Sequence, residues 1–255
     1  MWTDVVDLQN FYAAPLGNVV RQRLQHCVRS TWPRMPGLRL GGYGFASAYL
    51  TTYLQEARST VSLMPSAQGA TPWPESQGNR VCMVAEDNFP LPDRSLDRLL
   101  VVHALEHATR PAGLLREAWR VLDAEGRLLL IVPNRRGLWA RADGTPFGWG
   151  QPFSRAQVTR LLNDMLFEQL SSDRALFLPP TNRLWLQRSA PAWERVGSRC
   201  FPRFAGLIVI EARKRLIAPG LLSPEMARHR SLRVLPSLTH RGGPAPSPVK
   251  GNERR

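Results

Sequence analysis

The sequence predicts a three-layer α/β sandwich around a mostly parallel sheet, and three observations carry that reading. From residue 37 onward, short apolar runs alternate with helical periods, the pattern of repeated βαβ units. The stretch AEGRLLLIVPN (124–134) is a turn followed by a continuously apolar strand, as in a strand buried on both faces. A glycine turn, Gly42-Tyr43-Gly44-Phe45-Ala46, follows the first apolar run and leads toward a helix.

Taken in order, residues 1–32 form a leading helix. Leu16, Val19, Val20, Leu24, Cys27 and Val28 recur at its period, and Pro33 and Pro36 end it. LRLGGYGFASAYLTTYLQEA (38–57) reads as strand, tight turn and helix, and STVSLM (59–64) as a second strand. After a turn-rich stretch (65–79), RVCMVAED (80–87) and SLDRLLVVHAL (95–105) supply the third and fourth strands. Residues 110–123 set Leu114, Leu115, Ala118, Trp119 and Leu122 on one side of an amphipathic helix.

Past Asn134 the character changes. RRGLWARADGTPFGWGQPF (135–153) has no periodicity, and a helix over 154–165 follows with Ser154 as N-cap. FEQLSSDRALFLPP (167–180) holds a strand, AWERVGSRC (192–200) a short helix and AGLIVIEARK (205–214) an apolar strand. This late strand pair is expected to run antiparallel to the rest, giving the mostly parallel sheet an antiparallel C-terminal strand. The globular part therefore spans 33–214. Residues 215–255, rich in Pro, Gly, Ser and Arg, read as a basic, largely disordered tail.

The net charge of +14 invites a nucleic-acid reading, but residues 212–255 alone carry ten Lys/Arg against two acids. Lys214 and Lys250 are the only lysines, so the arginine bias reads as a coding preference rather than a phosphate-binding design. Weak contact through the tail is the form nucleic-acid binding would take. No run approaches the roughly 18–20 apolar residues of a membrane span. The opening MWTDVVDLQN carries acids where a secretory signal carries basic residues. A cytoplasmic protein with no membrane partner is expected. Cys27, Cys82 and Cys200 lack zinc or redox spacing and read as small buried hydrophobes.

The block 87–134, DNFPLPDRSLDRLLVVHALEHATRPAGLLREAWRVLDAEGRLLLIVPN, resembles the central part of class I (Rossmann-like) S-adenosylmethionine-dependent methyltransferases. The matching features are Glu86-Asp87-Asn88, Leu91-Pro92-Asp93, Leu105-Glu106-His107, Arg120-Val121-Leu122 and Glu125-Gly126. The resemblance implies S-adenosylmethionine as cofactor. Gly42, Gly44 and Ala46 would line its methionine and ribose portion, and Asp87 would accept from the adenine amino group. Asn88 would offer its backbone N–H, and Val102 and His103 would flank the methionine end. The acceptor stays unidentified.

Two positions depart from the family pattern. Leu40 stands where an acid precedes the first glycine, and Met64 or Ser66 where an acid holds the ribose hydroxyls. Losing two charge-assisted hydrogen bonds weakens binding by roughly two to four decades. A non-catalytic, methyltransferase-like scaffold acting through a protein partner is the alternative.

His103, His107 and Asn134 fall at strand ends, where open α/β sheets bind ligands, and are the catalytic candidates. His103-Ala104-Leu105-Glu106-His107 also spells the H-x-x-E-H zinc pattern, but the preceding strand argues against the helix that pattern requires, and no metal is expected. Arg135, Arg136, Trp139, Phe147, Trp149 and Phe153 would form either a lid suited to an anionic or aromatic acceptor or a loop packed by its own aromatics.

Overall fold

A computed structural model describes residues 2–74 and 78–216. Seven strands, β1 (Arg39–Gly44), β2 (Ser59–Pro65), β3 (Val81–Val84), β4 (Leu96–Val102), β5 (Leu122–Pro133), β6 (Phe167–Ala175) and β7 (Leu207–Lys214), form one sheet. Their order is β3-β2-β1-β4-β5-β7-β6.

Helices cover both faces. On one side α1 (Val5–Ala13), α2 (Pro15–Thr31) and α3 (Ser47–Leu50) enclose a core with Leu24, Tyr49, Leu100 and Leu129. On the other, α4 (Pro111–Val121) and α5 (Arg155–Asp164) enclose Leu99, Leu114, Leu130 and Leu162. Successive strand residues point to opposite faces, so the run Leu128–Val132 feeds both cores in turn.

The sandwich is the one expected, with four local differences. The leading helix is two helices, because Pro15 starts α2 and drives Ala14 to an extended ψ of 158°. Strand β1 continues through both glycines, and the helix after it lasts only four residues before a 3-10 turn. Only β7 is antiparallel to its neighbours. Strand β6, paired solely to β7, ends parallel to β5, so the late pair is not antiparallel to the rest as a unit. A further helix, α6 (Leu184–Arg188), precedes α7 (Ala190–Cys200), which begins two residues earlier than expected.

The cysteine reading also needs correction, since Cys27 and Cys82 are half-buried and Cys200 is exposed on α7. The expected tail lies outside the described residues from 217 on.

At the amino edge of the sheet, Arg39 ties β1 to β4 and to the start of β5. Its guanidinium contacts Asp97 and Asp123, each at 2.7 Å. Those bonds hold the Asp97 carboxyl below the usual carboxylate range. Because the folded-state value is depressed, the contribution is complete above the unfolded value. It is lost as pH falls through the folded value. Arg39→Met is expected to cost about 1–2 kcal/mol at neutral pH after screening by solvent. Urea titrations below pH 4 should show that difference shrinking.

Candidate functional site

After β1 the chain crosses to β2, and after β4 it crosses the other way to β5. The loops diverge at the carboxyl ends of β1 and β4, and that switch point is where open α/β sheets take ligands.

The glycine turn lies there. Gly44 has φ +76°, and a Cβ on it would sit 2.3 Å from the Val102 carbonyl oxygen. Glycine is therefore the residue that lets β1 pass so close to β4. Phe45 N–H donates to that same carbonyl at 2.9 Å. A Cβ on Gly42 would meet Ala46 Cβ and Leu50 Cδ1 at 2.7 Å each, so Gly42 and Ala46 pack against one another beneath the turn.

Around this turn lies a buried polar chain. Tyr49 OH donates to Tyr12 OH at 3.0 Å, and Tyr12 OH lies 2.8 Å from His103 Nε2. Tyr12 OH and His103 Nε2 share one hydrogen bond, with the donor set by the ring tautomer. Nδ1 faces Glu106 Oε1 at 3.6 Å, an ion-pair approach too long for a hydrogen bond. Burial, with Tyr49 adding to it, pushes the Tyr12 hydroxyl far above its ordinary range, so it stays protonated.

Gln68, from the loop after β2, reaches across the turn, and its Nε2 donates to the His103 carbonyl oxygen at 3.0 Å. Gln68 Oε1, His103 Nδ1 and both Glu106 carboxylate oxygens are buried without a hydrogen-bond partner. Such groups cost about 1–3 kcal/mol each when left so.

Side chains also close the crevice. Tyr12 stacks on Phe45 (centroids 5.4 Å, 11°), and the Phe147 ring lies 4.6 Å from the His103 ring.

The other candidates are placed as follows. Residues 103–107 are a turn, and His103 has φ +50°, so the two histidines share no helical face. His107 Nε2 lies 3.2 Å from Thr3 Oγ1. Among the described residues no group of three or more His, Cys, Asp or Glu could hold a metal ion. Asn134 spends its amide on Arg203 and Ala205 carbonyls and its oxygen on Arg136 N–H, tying two loops together. Val102 is fully buried at the end of β4.

Asp87 pairs with the exposed Arg110 at 2.6 Å, at the start of α4, and Asn88 forms a backbone bridge with Ala85. Glu86 accepts from the Thr109 and Arg110 N–H groups just ahead of α4.

In the loop after β5, Trp139 and Phe147 are buried, which makes this stretch a loop packed by its own aromatics. Arg135, Arg136 and Trp149 remain exposed. An open cleft of about 370 Å³ lies between α1 and this loop. Phe11, Trp149, Asp7 and Asp143 are among its walls, and neither Arg135 nor Arg136 is among them. The expected arginine lid is thus not what faces the cleft.

Sequence reasoning missed Tyr12, Tyr49 and Gln68. The two tyrosines sit on the buried faces of α1 and α3, where periodicity marks them only as core, and nothing local marks Gln68.

Residues 41–130 match the family described as methyltransferase domain. No curated protein matches the chain. Among solved structures, the chain is similar to an S-adenosylmethionine-dependent methyltransferase from Thermotoga maritima, described as a possible histamine N-methyltransferase. The TM-score is 0.59 at 17% identity, covering 83% of this chain and 96% of that one. A S-adenosylmethionine-dependent methyltransferase from Archaeoglobus fulgidus gives 0.56 at 15% identity, over 76% and 94%. The 1,6-didemethyltoxoflavin-N1-methyltransferase of Burkholderia thailandensis, solved with 1,6-didemethyltoxoflavin and S-adenosylhomocysteine, gives 0.51 at 15%, over 80% and 79%. At these identities the likeness is one of fold.

Proposed function

We propose, from a chain that has the class I Rossmann-like methyltransferase fold and a methyltransferase domain across residues 41–130, that it transfers a methyl group from S-adenosylmethionine to an acceptor. One observation carries this reading. The glycine turn stands at the switch point beside buried acceptors that lack donors, Gln68 Oε1 and the Glu106 carboxylate.

The residues present fit the cofactor. S-adenosylmethionine presents an ammonium, two ribose hydroxyls and an adenine amino group, all donors, and this edge offers unpartnered acceptors. Gly42, Gly44 and Ala46 would hold its methionine and ribose portion, with Val102 and His103 at the methionine end. Asp87 and Asn88 would meet the adenine. When bound, the group supplies an electrophilic methyl on a sulfonium.

The chain's own residues do the rest. Glu106 faces Nδ1 of His103 and Tyr12 covers Nε2, so an acceptor could reach Nε2 only after Tyr12 moves aside. Phe11 lines the neighbouring cleft while Tyr12 caps the histidine, which makes α1 the element whose movement would join cleft and crevice.

A second reading, a non-catalytic scaffold, is favoured by the packing of Tyr12, Phe45 and Phe147 over the turn. The absence of a carboxylate at Leu40 or at Met64 and Ser66 supports it further.

Calorimetric titration with S-adenosylmethionine and S-adenosylhomocysteine separates the two. Methyl transfer predicts micromolar binding, weakened roughly tenfold to hundredfold by Asp87→Ala. It also predicts altered amide exchange in Val5–Ala13 on binding. Titration to millimolar ligand without heat would sink the enzyme reading and leave the scaffold.

A further inference from the structure

Far along the chain from the crevice, residues 183–204 carry a surface that the proposed chemistry does not use. Leu184, Trp185, Trp193, Val196, Phe201 and Phe204 are all exposed, Trp185 by 64% and Phe201 by 59%. Large side chains of this kind, clustered within one short segment, mark an interaction site rather than chance exposure.

Helix α7 shows how the surface is built. Glu194 and Gly197 form its buried face. Glu194 pairs with Arg23 at 2.8 Å and accepts from Phe177 N–H, and a Cβ on Gly197 would strike the Phe177 side chain. At 100° per residue, Arg195 and Arg199 then fall opposite that face, and Trp193, Val196 and Cys200 on a stripe beside them. The helix is anchored on one face and is amphipathic again across what remains.

Charge continues the pattern. Arg183, Arg188, Arg195, Arg199 and Arg203 are exposed, and among the described residues none of them forms an ion pair. Glu194, buried and already paired, is the one acid in 181–204.

We propose that α6, α7 and Phe201–Phe204 dock on an anionic lipid bilayer, with the apolar side chains at the headgroup–acyl boundary and the arginines on lipid phosphates. Apolar and basic residues interleaved on a helix that lies along a surface are the signature of interfacial binding, and tryptophan belongs at that depth. Nucleic acid would leave Leu184 and Val196 without a role. A second copy would have to bury arginines in the centre of an interface, where charge is normally depleted. The expectation of no membrane partner rested on the absence of a spanning run, and no helix among the described residues is long and apolar enough to cross a membrane. Binding within the interface needs no such run.

The test is sedimentation of the full chain with phosphatidylcholine vesicles, and with vesicles in which a third of the lipid is phosphatidylglycerol, at low and high salt. The chain is expected to bind only the anionic vesicles, more weakly at high salt. Arg195→Ser with Arg199→Ser should lower partitioning roughly 25-fold, about fivefold per arginine. Trp185→Ser with Trp193→Ser should lower it about tenfold or more. Thermal melts confirm that these surface variants fold, and Trp149→Ser serves as an exposed control with unchanged binding. Sedimentation retained by the tryptophan variant would overturn the proposal and assign the attraction to charge outside this surface. No binding to either vesicle would overturn it as well, and a dimer dissolved by the tryptophan variant would then assign the surface to a second copy.

Discussion

Gly44→Val is expected to melt about 10 °C below the parent and to show no detectable cofactor binding. The residue has φ +76°, where a β-branched side chain costs roughly 1–3 kcal/mol. Its Cβ would also sit 2.3 Å from the Val102 carbonyl oxygen, a backbone atom that cannot rotate away. Prying β1 from β4 adds a further 1–3 kcal/mol. Together these come to about 2–6 kcal/mol, at roughly 2–4 °C per kcal/mol for a domain of this size. Gly37 supplies the control, with φ +72° and nothing within 4 Å of an added Cβ. Gly37→Ala should cost only the backbone term of about 1–2 kcal/mol. Equal losses for the two variants in calorimetric melts would show that the close strand approach contributes nothing.

The second large effect belongs to Trp139. It is fully buried, its Nε1 donates to the Leu178 carbonyl at 2.7 Å, and a Cβ on Gly206 would lie 2.3 Å from its Cδ1. Phe147, which reaches the His103 ring, packs edge-on against it at 5.5 Å. Trp139→Ala is expected to cost about 3–5 kcal/mol through the cavity and the orphaned carbonyl. It should also expose residues 135–153 to limited proteolysis. Trp149, on the same loop and 43% exposed, should tolerate alanine at under about 1 kcal/mol. A stable Trp139→Ala protein would mean that the loop folds over the site without its central side chain.

Much of the framework was legible because it is written in local periods. Leu128–Val132 announces a strand buried on both faces, Ser154 caps α5 through a reciprocal bond with Gln157, and Pro111 opens α4. Even the break at Pro15 was present in the sequence, since a proline restricts the residue before it. The glycine turn falls at the carboxyl ends of β1 and β4, after the first apolar run as the sequence indicated.

What surrounds that site was not legible. Tyr12 meets His103 across 91 positions, and Gln68 meets it across 35. The loop residue Trp139 bonds Leu178 across 39. No period or motif encodes such contacts, because each depends on how helices and loops settle on a sheet that must first exist.

The same holds for α7, whose pattern fixes a helix but not which face turns inward. Burial of Glu194 against Arg23 and close packing of Gly197 on Phe177 make that choice. The sequence by itself determined the succession of strands, the parallel core and the position of the glycine turn, because propensity and hydrophobic period act over neighbouring residues. Only the tertiary structure decided that α1 would cap His103, that Glu106 would be buried facing it, and that α7 would turn its tryptophan outward. Those outcomes follow from long-range packing and from the cost of burying charge, which no local window contains.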